Sequence, residues 1–298
     1  MGPTASGKSA LALEVARRLP GIELVSVDSM QVYAGMDIGT AKPSPAERAE
    51  VPHHLLDLAD PSEQFTVTRF QAAAEEAIAG IEGRGHRALL VGGTGLYLQA
   101  VVDRLAVPGQ WPAVRAELED EARVPEAAPA LHRRLAEADP TAAARIEPGN
   151  LRRIVRALEV TLGSGRPFSS FGPGIDAYPP TRFRMAGVWL PRGIVNARIE
   201  ARLTEQMATG FLDEVASLAR RPAGLSRTAR QALGYRELLG HLDGKTTLAE
   251  AVEETVRRTR AFGRRQRVWF RRDPRITWLA TAGNPLDVLP ALLGSWSS

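Results

Sequence analysis

The sequence predicts an α/β chain, with a parallel-sheet core interrupted by a helical insertion domain. Two short apolar runs, Glu23–Val27 and Ala88–Val91, end at polar turns and are separated by a segment of helical period, as parallel strands joined by crossovers are. The chain opens with a glycine-bounded loop that runs into an amphipathic helix. From 113 to 179 only helical segments occur, closing in a stretch rich in Gly, Pro and Ser. The core is therefore expected at 1–112 and 180–298, with the insertion between.

The opening loop is Gly2-Pro3-Thr4-Ala5-Ser6-Gly7-Lys8-Ser9, a Gly, four free positions, then Gly-Lys-Ser. Glycines let such a loop close around a phosphate with its N–H groups pointing inward, the lysine adds a point charge, and the serine hydroxyl suits Mg²⁺. Ala10, Leu11, Leu13, Ala16 and Leu19 supply the helix behind it, whose N-terminus faces the anion. This makes the core P-loop NTPase-like. A loop of this kind ordinarily follows a buried strand, and here only Met1 precedes it. The expectation is that the true start lies several residues upstream; otherwise the sheet lacks its central strand.

At 298 residues, with 44% hydrophobic and 24% charged residues, the composition is that of a globular protein with a sizeable core. No run of about 18 apolar residues and no signal peptide is found, so a cytoplasmic protein without membrane contact is expected. The absence of cysteine excludes disulfides, thiolate catalysis and cysteine zinc sites. The basic residues are 35 Arg and only three Lys, Lys8, Lys42 and Lys245. Lys8 thus stands out in a sequence that otherwise writes arginine.

The first strand ends at Asp28-Ser29-Met30-Gln31, and ligands of open α/β sheets sit at carboxyl ends of strands. Asp28 is either a turn residue or a functional carboxylate. A long loop, Val32 to Glu63, follows and holds His53-His54, adjacent and so badly placed to share a metal; they are structural or substrate-lining. Thr66 caps a helix to about Gly83. The strand Ala88–Val91 then runs into Gly92-Gly93-Thr94. An NTPase of this loop class ends a strand in a metal-organising Asp, so Gly-Gly-Thr points to a diphosphate that leaves as a group, unless Asp28 takes the metal role.

Val107 to Pro112 reads as a linker, followed by helices at roughly 113–124, 129–146 and 150–163. A strand, Phe183 to Leu190, is expected to return the chain to the core sheet. Gly193 to Arg221 is a helix or a pair broken near Gly210, and it carries Arg198 and Arg202 one turn apart. A helix of about 25 residues, Thr247 to Arg272, leads to a short strand at Ile276–Ala280. Nine arginines and one acid lie between Arg257 and Arg275, and Arg257, Arg260, Arg264, Arg267 and Arg271 share one helical face. Such a stripe, with Phe262, Trp269 and Phe270 interleaved, either fits a sugar-phosphate backbone or is a solvated face.

Seven segments together resemble the tRNA dimethylallyltransferases of bacteria: Gly2–Ser9, Asp28–Tyr33, Asp37–Pro43, Gly92–Tyr97, Arg156–Val160, Leu233–Glu237, and the scattered Arg, Gln and Trp positions within 259–271. The resemblance covers nearly the whole chain in order. It implies transfer of a dimethylallyl group from dimethylallyl diphosphate to N6 of adenosine 37 of tRNAs reading codons that begin with U, with Mg²⁺, by a cytoplasmic monomer. Gly2, Pro3, Thr4, Ala5, Ser6, Gly7, Lys8 and Ser9 would hold the prenyl diphosphate where related loops hold ATP, with Ser9 on Mg²⁺ and Arg198 or Arg202 as clamp. Asp28 would be the general base, with Thr94 hydrogen-bonding nearby. Asp28, Ser29, Met30, Gln31, Thr94, Arg115, Arg152, Arg153, Ile154, Val155, Arg156, Gln231, Ala232, Leu233, Gly234, Tyr235 and Arg236 would meet the tRNA anticodon stem-loop. The chain departs from the family pattern in its missing first strand and in a shortened stretch between Gly95 and Arg115. A small-molecule or nucleoside kinase, and a non-catalytic RNA-binding protein, are the competing readings.

Overall fold

A computed structural model describes residues 1–172 and 174–297. They divide into two compact units, Met1–Asp103 with Pro180–Ser298, and Arg104–Pro179.

In the first unit, helix α1 (Lys8–Arg18) follows the glycine loop and buries Leu11, Ala12, Leu13 and Val15. Strand β1 (Ile22–Val27) is buried almost throughout, which its apolar run requires. The stretch read as a long loop holds two small elements. Helix α2 (Pro45–Glu50) is set by a capping box between Ser44 and Glu47 with Pro45 in its first turn, and buries nothing. Strand β2 (His53–His54) adds parallel to β1. Neither leaves a periodic trace, one having no apolar face and the other only two residues. Helix α3 (Val67–Gly83) starts where expected, with the Thr66 hydroxyl accepting from the Arg69 amide. Strand β3 (Arg87–Gly92) pairs parallel with β1, and helix α4 (Gly95–Val102) leaves its end.

The second unit holds helices α5 (Pro112–Glu121), α6 (Ala127–Ala138), α7 (Pro140–Arg145) and α8 (Leu151–Ser164). The single helix expected at 129–146 is two, because Pro140 breaks it and Asp139 caps the second piece by accepting from the Ala142 amide. This unit begins at Arg104, ahead of the expected 113. The linker is fastened down: the Trp111 amide donates to buried Glu159 at 3.0 Å, and Arg156 donates to the carbonyls of Pro108 and Gly109.

Back in the first unit, β4 (Ala186–Trp189) leads to α9 (Arg192–Ala208) and α10 (Phe211–Ala219), broken at Gly210 with φ +100°. Then come α11 (Arg227–Arg230), α12 (Tyr235–Leu242), the long α13 (Leu248–Arg271), β5 (Thr277–Ala280) and α14 (Leu289–Ser297). Strand β4 does not join the β2-β1-β3 sheet as expected. It pairs with β5 in a separate two-stranded sheet. Between β3 and β4 lies an open groove of about 450 Å³, so no ladder connects their edges.

One buried carboxylate ties the back of the first sheet together. Glu23 on β1 is contacted by Arg84 at 2.8 Å, His54 Nε2 at 2.6 Å and His86 Nδ1 at 2.7 Å. His53 meets the Val51 carbonyl instead, so the histidine pair is structural. Burial pushes the Glu23 carboxyl up, but the hydrogen bonds from Arg84, His54 and His86 outweigh it and hold it at about 2. Its contribution to stability is thus complete above the ordinary value of 4.5 and fades as pH falls toward about 2. Glu23→Gln should cost about 1–3 kcal/mol at pH 7, discounted for the exposure of Arg84. It should also lose less stability than the parent between pH 5 and pH 3, as read by urea unfolding at each pH.

Candidate active site

The glycine loop is tightly curled. Ala5 and Gly7 both have left-handed backbones, φ +58° and +79°, and the Ser6 amide donates back to the Pro3 carbonyl. Gly7 is obligatory twice over, since a Cβ there would also lie 2.2 Å from Pro285 Cγ. The first turn of α1 has no acidic side chain, leaving its N-terminal amides for an anion. The two clamp candidates are both on the loop: Arg198 Nε donates to the Ala5 carbonyl at 3.0 Å, and Arg202 donates to the Thr4 hydroxyl at 2.6 Å.

A cavity of about 310 Å³ opens beside the loop and is lined by Thr4, Lys8, Ser9, Asp28, Thr94 and Arg202 among others. Asp28 lies at the carboxyl end of β1, where it is a turn residue that also lines the cavity. Its Oδ1 accepts from the Met30 amide at 2.9 Å and weakly from Gln31, while the residue faces the cavity. Thr94 does not bond to Asp28 itself; its hydroxyl accepts from the next amide, Ser29, at 3.2 Å. Ser29, Met30, Gln31, Gln231, Ala232 and Leu233 line the same cavity.

Burial lowers the Lys8 ammonium to about 8; Asp28 opposes the shift and the charge of Arg202 adds to it. Arg202 is likewise lowered by burial, with Asp28 opposing and Arg198 adding. Cations outnumber the carboxylate here, so the site is suited to a polyanion.

Two residues to which the sequence reading gave no role, Gln266 and Glu214, fix this geometry. Gln266, buried on α13, accepts from the Thr4 amide at 2.7 Å and donates to the Gly93 carbonyl at 2.8 Å. It ties the phosphate loop to the turn that carries Thr94. Glu214 on α10 accepts from the amides of Asp37, Ile38 and Gly39 and from the Tyr235 hydroxyl. Burial first, then the Glu214 charge, pushes the Tyr235 phenol up. Lys42 completes that loop from inside, donating to the Tyr33 carbonyl, Asp37 and Asp57. A signal for Gln266 existed: it shares the buried face Thr255, Thr259, Gly263, Gln266, Phe270 of an otherwise arginine-rich helix.

The predicted contact residues differ in their exposure. Tyr235 is fully buried and Ala232 nearly so; Gly234 is buried, while Gln231 and Arg236 are exposed. In the second unit, Ile154 and Val155 are core residues, which leaves exposed Arg152 and Arg153 as the open surface of that stretch. Arg156 is drawn onto buried Glu159, and Arg115 onto Glu119 at 2.8 Å. The arginine stripe is mostly engaged within the protein. Arg257 pairs with Glu254 and Arg260 with Glu200; Arg267 donates to the Leu190 carbonyl and stacks over Trp189, which Arg271 also approaches. Arg264 stays exposed. Arg258 and Arg265 line the cavity, although Arg258 also pairs with Glu237.

The model of the IPP transferase family matches residues 31–273. The chain belongs to the IPP transferase family. Among its relatives in the family, the tRNA dimethylallyltransferase of Kineococcus radiotolerans is 50% identical over 98% of this chain and 94% of its own. That of Geobacter metallireducens is 48% identical over 98% and 95%. The crystal structure of the tRNA isopentenylpyrophosphate transferase of Bacillus halodurans aligns with a TM-score of 0.69 at 38% identity, covering 99% of this chain and 95% of that one. A eukaryotic dimethylallyltransferase acting on tRNA aligns with a TM-score of 0.75 at 27% identity, over 94% of this chain and 72% of that one.

Two outcomes follow for this IPP transferase family member. A diphosphate bound at the loop would favour protonated Lys8, whereas the free lysine loses its proton as pH rises through about 8. Affinity for inorganic diphosphate should therefore weaken above pH 8, by up to about tenfold per pH unit. Calorimetry at pH 7 and 9 against Lys8→Arg, which keeps its charge, isolates this lysine. Gln266→Leu should leave a buried amide and carbonyl unpaired, costing about 1–3 kcal/mol in thermal unfolding. It should weaken diphosphate binding as well.

Proposed function

We propose that this enzyme transfers the dimethylallyl group of dimethylallyl diphosphate to N6 of adenosine 37, beside the anticodon of tRNAs reading codons that begin with U. The observation that carries the proposal is one cavity lined by both halves of that chemistry. Lys8, Ser9 and Arg202 serve the diphosphate, and Asp28 with Thr94 serves the amine. The N6 amine attacks C1 of the prenyl group, the C1–O bond breaks, and its electron pair leaves on diphosphate. Adenine's amine is a poor nucleophile because its lone pair is delocalised, so Asp28 removes its proton as the C–N bond forms. With Oδ1 occupied by the Met30 amide, Oδ2 is the oxygen left to act, and the turn fixes its direction.

Charge growing on the departing diphosphate is stabilised by the loop amides, Lys8, Arg202 and, from the far side of the loop, Arg198. Ser9 brings a hydroxyl to the same cavity, the kind of oxygen ligand that suits Mg²⁺ shared with substrate phosphates. When bound, Mg²⁺ would neutralise part of the leaving group's charge. The strand after which Thr94 sits ends in Gly92-Gly93, with no acid to organise phosphoryl transfer, which disfavours the kinase reading. To reach the cavity, adenosine 37 is extruded from the anticodon loop. We take the enzyme to act as a cytoplasmic monomer; among the described residues no helix is long and apolar enough to cross a membrane.

Incubation with unmodified tRNA, Mg²⁺ and dimethylallyl diphosphate, followed by nucleoside mass spectrometry, should yield N6-dimethylallyladenosine. Asp28→Asn keeps the acceptor for the Met30 amide but not the base, and should lose about 100-fold or more in rate with little change in folding. Turnover of ATP without prenyl transfer would replace this reading with the kinase. RNA binding with no activity to lose would favour a non-catalytic protein.

A further inference from the structure

The cavity beside the phosphate loop has an apolar lining that neither the diphosphate groups nor the amine groups account for. Leu203, the neighbour of Arg202 on α9, contributes to it with Phe211, Ala232 and Leu233, and half-buried Met30 and Phe262 join them. Leu203, Phe211 and Ala232 are buried members of the main core. This part of the lining is therefore the face of the core itself and not a way out to solvent.

Phe211 is 1% exposed, and its ring has no room to retreat. A Cβ at Gly39 would strike its Cε2 and Cζ atoms, and one at Gly234 would lie 2.6 Å from Cε1. Two backbone segments thus close on opposite edges of one ring, an approach that only glycine permits. Gly39 is not in the left-handed region, so the ring alone explains its lack of a side chain. Tyr235, fully buried, stands edge-on to Phe211, with ring centroids 5.0 Å apart at 75°. Its hydroxyl donates to Glu214, which also accepts from the amides of Asp37, Ile38 and Gly39. The ring, the tyrosine beside it and the loop at Gly39 are held as one block, and packing this dense does not yield to a larger guest without cost.

We propose that Phe211, fixed by Gly39, Gly234 and Tyr235, is the wall that limits the transferred group to a single isoprene unit. Resting on the prenyl transfer proposed above, this assigns the residue that measures the chain. C1 carries the diphosphate and meets the amine, so the methyl-bearing carbons are taken up by the remaining, apolar lining. A geranyl group adds a second isoprene unit to the same C1. Those carbons must displace a ring that cannot move, or stay in water outside the cavity, where their burial contributes nothing. For either group the N6–C1 bond forms as the C1–O bond breaks, diphosphate leaves with the electron pair and Asp28 takes the proton. The chemistry at C1 therefore does not discriminate, and the choice between the two falls to the wall. Removing the phenyl ring would free space comparable to the unit that geranyl adds.

The test offers the enzyme, with Mg²⁺ and unmodified tRNA, an equimolar mixture of dimethylallyl and geranyl diphosphate, and reads the two N6-alkyladenosines by mass spectrometry. The parent should favour dimethylallyl by at least about 100-fold, and Phe211→Ala should remove most of that preference. Phe211→Leu keeps an apolar core residue, guards against a lost fold, and should lower the preference by about tenfold. Calorimetry gives a second reading that needs no transfer. The parent should bind geranyl diphosphate at least about tenfold more weakly than dimethylallyl diphosphate, and Phe211→Leu should narrow that difference while leaving affinity for inorganic diphosphate unchanged. Equal binding of the two prenyl diphosphates by the parent, or a ratio that Phe211→Leu does not move, would overturn the proposal. With the expected binding pattern present and neither nucleoside formed, the wall stands and the transfer reading falls.

Discussion

The site depends on one side-chain amide. Gln266 accepts from the Thr4 amide and donates to the Gly93 carbonyl, so the phosphate loop, the end of β3 and the long helix α13 are joined at a single buried group. A backbone amide in a loop that curls around an anion cannot find its partner in a ladder, and an unpaired one would cost about 1–3 kcal/mol. Meeting that requirement from α13 holds the loop beside the turn that carries Thr94. Arg198 and Arg202 brace the same loop from α9. Three segments remote in sequence thereby behave as one rigid frame.

Positive charge is crowded at the site. Lys8 and Arg202 are both held below their ordinary values by burial, and Asp28 only partly compensates. A diphosphate relieves that strain, so binding energy and folding energy are linked: ligand should stabilise the protein through the same groups that orient it. The left-handed backbones of Ala5 and Gly7 add to this preorganisation, since the curl of the loop is set by the chain itself.

Local chemistry was legible in the sequence. The glycine loop, the apolar runs of β1 and β3, the Thr66 cap and the break at Gly210 each depend on neighbours a few residues away, and each lies where its pattern places it. The family, too, could be read from motifs in order. What could not be read were partnerships across the chain. Gln266 serves Thr4 from 262 positions away, and Glu214 meets the Asp37 amide across 177. The partners of the arginine stripe were hidden for the same reason: periodicity shows a face, but not that Glu200, Trp189 and the Leu190 carbonyl wait opposite it. Strand β4 was expected to rejoin the core sheet because its apolar pattern cannot reveal which edge it meets.

The engagement of those arginines bears on how the protein responds to ionic strength. Binding to a polyanion is weakened by salt in proportion to the number of phosphates neutralised, because each contact releases condensed counterions. Nine arginines between 257 and 275 would suggest a steep dependence. With Arg257, Arg258 and Arg260 paired to carboxylates, Arg267 on a carbonyl and Arg275 on Asp103 and Asp273, few of the nine are available to displace ions. Each internal pairing already supplies a countercharge, so this helix is expected to contribute a shallower salt dependence than nine arginines alone would give.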